Sequence, residues 1–176
     1  MLSEKQFRAR AARELRALGN QVSGLTADRV IYRRMQDEYG QGHPSLPGNG
    51  FADVFRGAYT DALTMRLRRL LASEASLSLR RVIGQLEDYP DLLHPKLNLR
   101  ELAEDAAELD KMASYLKQEI EPHFLPRGRT PGALAPTLRE LDRALDMVSG
   151  LLQKYYWVIC DAYLDLETAG RLPAIR

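Results

Sequence analysis

The sequence predicts an all-α fold, an up-and-down bundle of four to five main helices, and three observations carry that reading. Apolar residues recur at three- and four-residue intervals along most of the chain, the spacing that lines one face of a helix. Two capping boxes, Asn98-Leu-Arg-Glu101 and Thr137-Leu-Arg-Glu140, announce helix starts. β-branched residues are few and never alternate with polar ones, so no strand is predicted.

The elements follow in order. Residues 3–24 carry Phe7, Ala11, Leu15, Leu18 and Val22 at helical spacing among many charges. A turn at 24–26 divides this helix from a second over 27–39, with Val30, Ile31 and Met35 facing inward. Residues 40–50 (GQGHPSLPGNG) form a loop by every breaker signal. A long helix over 50–72 presents Phe51, Phe55, Tyr59, Ala62, Leu63, Leu67, Leu70 and Leu71. The chain breaks at 73–76 and restarts with Ser76 as the cap of a short amphipathic helix, which Tyr89-Pro90 closes. The Asn98 cap opens a helix that runs to about residue 121. Residues 121–136 (EPHFLPRGRTPGALAP) hold four prolines and two glycines and form a long loop.

The last helix is the longest. Leu138, Leu141, Leu145, Val148, Leu152, Tyr155, Ile159, Ala162 and Leu166 keep a strict heptad seam, and Ala144, Leu151 and Val158 widen it into a bundle face. The helix over 99–120 is its expected antiparallel partner. Of Tyr155, Tyr156 and Trp157, one or two must face outward, where an exposed aromatic would mark a partner surface, although packing inside the bundle is the expectation. Residues 1–170 thus read as one helical domain and 171–176 as a tail.

Composition narrows function. Hydrophobic residues at 45%, charged residues at 28% and a net charge of +1 describe an ordinary soluble protein and argue against one built mainly to hold nucleic acid. Twenty of the 25 cations are arginine, bunched at 66–69, 80–81 and 127–129, which leaves room for a local basic patch. One cysteine, Cys160, excludes an internal disulfide, and three scattered histidines give no zinc spacing. The N-terminal residues lack the apolar core of a signal peptide, and no run approaches the ~18 apolar residues of a membrane span. A cytoplasmic chain with no membrane partner, no metal and no cofactor is predicted.

The arginines are the main candidates for chemistry. At ~100° per residue, Arg66 falls ~60° from Leu63, inside the apolar arc, while Arg68 points nearly opposite and Arg69 lies on the boundary. An arginine on a core face needs a partner. Asp110, Glu108 or Asp61 would supply a structural pair; a phosphate would suit the guanidinium fork equally. Arg66, Arg69 and Arg129 are therefore the candidate anion- or RNA-binding residues. His43 and His94 each precede a proline and read as exposed turn residues. His123 follows a helix C-terminus, whose dipole favours the protonated imidazole, useful for an acid or for a cap. The acidic residues 101, 104, 105, 108 and 110 read as a solvated band.

Four segments together resemble a family: residues 29–35 (RVIYRRM), 46–59 (LPGNGFADVFRGAY), 65–83 with its RRL and SLSLRRVI, and 136–156 (PTLRELDRALDMVSGLLQKYY). Their order is similar to that of the AbiU-type abortive-infection proteins of the HEPN superfamily, bacterial helical bundles. The resemblance implies a role in phage defence. It also implies the superfamily's activity, metal-independent RNA cleavage by a homodimer through an arginine followed four to six residues later by a histidine. Here Lys117 stands where that arginine belongs, Gln118 follows it, and Pro122 precedes His123. Arg127 and Arg129 come after the histidine. The expected protein is a HEPN-like binding module of a phage-defence or toxin–antitoxin setting, with a degenerate site. The alternative is a metal-independent endoribonuclease with His123 as general acid/base and Lys117, Arg127 or Arg66 stabilising the phosphorane. The partners implied are a second copy, RNA or a nucleotide, and a cognate toxin or antitoxin protein.

Overall fold

The computed structural model describes residues 2–39, 50–93, 96–120 and 137–166, with the side chains of 39, 51–53 and 117–120 excepted. Among the described residues there are six helices and no strand: α1 Glu4–Tyr39, α2 Gly50–Leu71, α3 Leu79–Leu86, α4 Pro90–Leu93, α5 Leu99–Ile120 and α6 Leu138–Cys160. The all-α bundle is as the periodicity predicts. The loops expected over 40–49 and 121–136, and the tail, lie outside the described residues.

Five of the six helix starts have a local cause in the described residues. Ser3 accepts from the Gln6 N–H at 3.3 Å, while the Gln6 side chain accepts from Ser3 N–H at 3.0 Å, a capping box at the head of α1. Asn98 and Glu101 exchange the same pair of bonds ahead of α5, and Thr137 and Glu140 ahead of α6. The predicted cap at Ser76 is displaced. Ser78, wholly buried, accepts from the Arg81 N–H at 3.2 Å and opens α3. Pro90 opens the single turn of α4 rather than closing a helix, since a proline at the first helical position has no N–H to satisfy.

The expected turn at 24–26 does not form: α1 runs unbroken through it for 36 residues. Val22 and Leu25 are buried there, and the Thr26 hydroxyl bonds back to the Val22 carbonyl at 3.0 Å. Glycine and a β-branched residue lower helix propensity by under about 1 kcal/mol each, less than the burial of two apolar side chains returns. Beyond this point α1 is held to α6 by charge. Arg29 bonds Asp146 and Arg33 bonds Asp142, both at 2.7 Å. Val30 and Ile31 face outward, roughly half exposed, and Tyr32 alone is buried; the expected inward orientation of those two residues is reversed.

The core gathers Phe7, Leu15, Leu18, Leu63, Leu67 and Leu71 with the α6 seam. α6 lies chiefly against α1, and α5 chiefly against α2 and α3, so α5 is not the main partner expected for α6. α5 and α6 are joined by Asp105, which accepts from Lys154 at 2.6 Å and from the buried Tyr155 hydroxyl at 2.8 Å. Tyr155 and Tyr156 are buried and Trp157, half-buried, packs against the core, so the three pack inward and none stands out as the exposed aromatic that helical spacing also predicts.

The heptad seam ends earlier than predicted. Asp161 adopts a left-handed conformation (φ 54°), and its N–H bonds the Trp157 carbonyl at 2.9 Å. Lys96 reaches the Val158 carbonyl at 3.3 Å and pairs with Asp161, so the last carbonyls meet a cation instead of a further turn. Ala162 and Leu166 therefore lie off the helix. The chain folds back, and the Gln153 amide holds both backbone groups of Leu164, accepting from its N–H at 3.0 Å. Leu164 sits so close to Gly19 that a Cβ there would come within 2.3 Å of it.

Candidate interaction site between the first two helices

The predicted site residues do not converge. Arg66 is not on the core face: it is exposed and paired with Asp28 of α1, not with Asp110, Glu108 or Asp61. Its guanidinium lies over Gly24, where a Cβ would come within 3.2 Å of it. The buried residues of α2 explain the error. Leu63, Thr64, Leu67, Leu70 and Leu71 are buried. At ~100° per residue their mean direction lies ~40° beyond Leu63 on the side away from Arg66. Arg66 is thus ~100° off the core axis, and so is Arg68 on the other side. Arg69 points outward.

The other candidates fall elsewhere. Arg68 is half-buried rather than solvated and lines a polar cleft with Glu74, Asp110 and Ser114, where Asp110 is taken up by Arg80 at 2.9 Å. Lys117 belongs to the last turn of α5, with its side chain outside the description, and His123, Arg127 and Arg129 lie outside the described residues altogether. Among the described residues, no group of three His, Cys, Asp or Glu side chains is placed to hold a metal ion. No described helix is long and apolar enough to cross a membrane. Burial pushes the Cys160 thiol up, away from the thiolate form that reacts.

What the fold does build is a cleft of about 300 Å³ between α1 and α2. Leu25, Ile31, Tyr32, Phe55, Tyr59 and Leu63 supply its apolar walls, and Asp28 and Arg66 stand at its rim. Tyr32 stacks with two rings, Tyr59 at 4.1 Å between centroids and Phe55 at 5.6 Å. These contacts fix the splay of α1 from α2: three aromatic rings hold the helices apart where aliphatic side chains would let them close. The Tyr59 hydroxyl is buried and meets no hydrogen-bond partner among the described residues. Burial first, and the Asp142 carboxylate second, push its pKa up to about 12. The Arg33 guanidinium is held above its ordinary range by its bond to Asp142.

Of the residues that line the cleft, Ile31 is about half exposed, whereas the other exposed large apolar side chains of α1 and α2, Val30, Val54 and Met65, stand outside its lining, Val54 at 72%. By helical spacing Ile31 reads as core, and Val54 and Met65 fall outside the predicted buried stripe of α2. The visible signal was a second apolar stripe on α2, Val54, Ala58 and Met65, opposite the stripe through Leu63 and Leu67. Comparison of the chain with protein-family models, with curated proteins and with solved structures yields no match.

Proposed function

We propose that this chain is a helical binding module, HEPN-like and of a bacterial phage-defence or toxin–antitoxin setting, that takes an apolar segment of a cognate protein in the α1–α2 cleft. The carrying observation is the lining of that cleft: aromatic and aliphatic walls, with Arg66 at its rim engaged by Asp28. A phosphate backbone is recognised by unengaged Lys and Arg side chains. An apolar side chain from a protein partner is what aromatic walls of this size accept. The family setting rests on the four resembling segments, and the degenerate reading of the site on Lys117 in place of arginine.

The test pairs two assays on the purified chain. Co-expression with the protein encoded beside it is expected to give a co-purifying complex that Ile31→Glu abolishes, and incubation with tRNA and total RNA in EDTA is expected to give no cleavage. Cleavage lost in His123→Ala would overturn the reading in favour of the metal-independent endoribonuclease.

A further inference from the structure

We infer that the polar cleft at the C-terminal end of α2 binds a small zwitterion, an α-amino acid with an aliphatic side chain. Its carboxylate meets Arg68 and its ammonium meets Glu74. This site is separate from the α1–α2 cleft: Arg66 and Arg68 stand on opposite flanks of α2, and the two clefts share no lining residue.

Arg68 stands apart from the other cations. Seven lysine and arginine side chains are half-buried among the described residues. Arg10, Arg29, Arg80, Lys96 and Lys154 each bond a carboxylate, and Arg81 bonds the Ser76 carbonyl. Arg68 alone meets neither an acid nor a carbonyl of a described residue. A guanidinium partly withdrawn from water gains from an anion that replaces the lost hydration, and its planar fork matches a carboxylate. The last turn of a helix favours a cation, but the exposed Arg69 answers that preference equally. It does not account for a half-buried arginine in a cleft wall.

The other charges of the cleft select the ligand. Both Asp110 carboxylate oxygens accept from Arg80 Nε, at 2.9 and 3.0 Å. Glu74 is left as the carboxylate that no described cation engages; it accepts only from the Ser73 hydroxyl, at 3.3 Å. Arg68 and Glu74 line one cleft of about 290 Å³ and do not pair with each other. A phosphate dianion would gain Arg68 but meet Glu74 and Asp110 as like charges. A molecule with one carboxylate and one ammonium satisfies both free groups. The ammonium also meets the negative end of the α2 dipole. Leu71, Ala72 and Ala113 form the apolar part of the wall, which suits an aliphatic side chain. The Ser114 hydroxyl, with no described partner, can donate to the carboxylate.

Calorimetric titration of the intact chain with L-alanine, L-valine and L-leucine tests the assignment. Isocaproate, which is leucine without its ammonium, isoamylamine, which is leucine without its carboxylate, and inorganic phosphate are titrated beside them. At least one of the three amino acids is expected to bind at a single site with a dissociation constant at or below about 1 mM. The three comparison molecules are expected to bind at least about tenfold more weakly, each lacking one charge-assisted hydrogen bond or meeting like charge. Arg68→Gln and Glu74→Gln are each expected to weaken the amino acid by about tenfold or more, while the outward Arg69→Gln leaves it within about twofold. Glu74 is exposed and lies outside any helix, so its variant probes the site with the fold untouched. No saturable heat from any of the three amino acids up to about 10 mM would overturn the proposal. So would isocaproate or phosphate binding as tightly as the amino acid, or an affinity unchanged in Glu74→Gln or in Arg68→Gln. Loss of the cognate complex in Ile31→Glu bears on the α1–α2 cleft alone.

Discussion

The two halves of α1 carry apolar residues at similar density and use them in opposite ways. From Phe7 to Leu25 every residue of the apolar stripe is buried at 2% exposure or less, pressed on α6 and α3. Among the described side chains from residue 27 onward only Tyr32 is buried, while Val30 and Ile31 stand about half exposed, Ile31 in the wall of the cleft. Helical periodicity is the same in both halves. What differs is what lies opposite: leucines at the first half, and at the second a wedge of three aromatic rings with an ion-pair network behind it. Periodicity shows which residues share a face. It does not show whether that face is covered.

Four substitutions break or sharpen this contrast, the largest effect first. Leu18→Ala, in the covered half, is expected to cost about 2–5 kcal/mol in urea unfolding, because the side chain is 1% exposed and leaves a cavity. Asp142→Ala is expected to cost about 1 kcal/mol, a modest figure because Arg33 is 60% exposed and the pair is screened. The loss should shrink as salt is raised, which Leu18→Ala would not show.

Tyr59→Phe is expected to be neutral or slightly stabilising at pH 7, since it deletes a buried hydroxyl with no described partner. The Tyr59 pKa is raised in the folded chain to about 12 from its ordinary 10, so the folded state holds the proton more tightly than the unfolded chain does. That contribution is fully present below pH 10 and is lost as pH rises toward 12. Alkaline unfolding of the phenylalanine variant should accordingly be shallower than that of the wild type. Gly24→Ala, at the junction of the two halves, is expected to stabilise by about 0.5–1 kcal/mol in thermal unfolding, the helix-propensity gain. Only the mobile end of Arg66 lies in the way of the added methyl.

Much of the architecture is legible in the sequence because it is local. The Asn98 and Thr137 boxes are fixed by residues three apart, and both form as read. The α6 seam from Leu141 to Ile159 is legible for the same reason. Its end is not, since the cation that caps it, Lys96, comes from a segment some sixty residues upstream. Ser78 replaces Ser76 as a cap because the burial of Leu79 and Val82 fixes where α3 begins.

The candidate site was less legible. With Leu63 as the centre of the apolar arc Arg66 falls inside it, whereas the burial of Thr64 and Leu71 draws that centre away from Arg66. A buried threonine gives no hydrophobic signal. Its hydroxyl bonds the Thr60 carbonyl at 2.6 Å, which removes the polarity that would otherwise keep it at the surface. The cleft was hidden for a related reason: Tyr32, Phe55 and Tyr59 read as core at helical spacing, and a cleft is made by how far such rings hold two helices apart.

On the proposed function, Ile31 belongs to a surface that binds rather than to the core that folds. Urea unfolding of Ile31→Asp tests this directly. A stability within about 0.5 kcal/mol of the wild type is predicted, as for a surface position. A loss above about 2 kcal/mol, of the size expected for Leu18→Ala, would place Ile31 in the core and contradict the account.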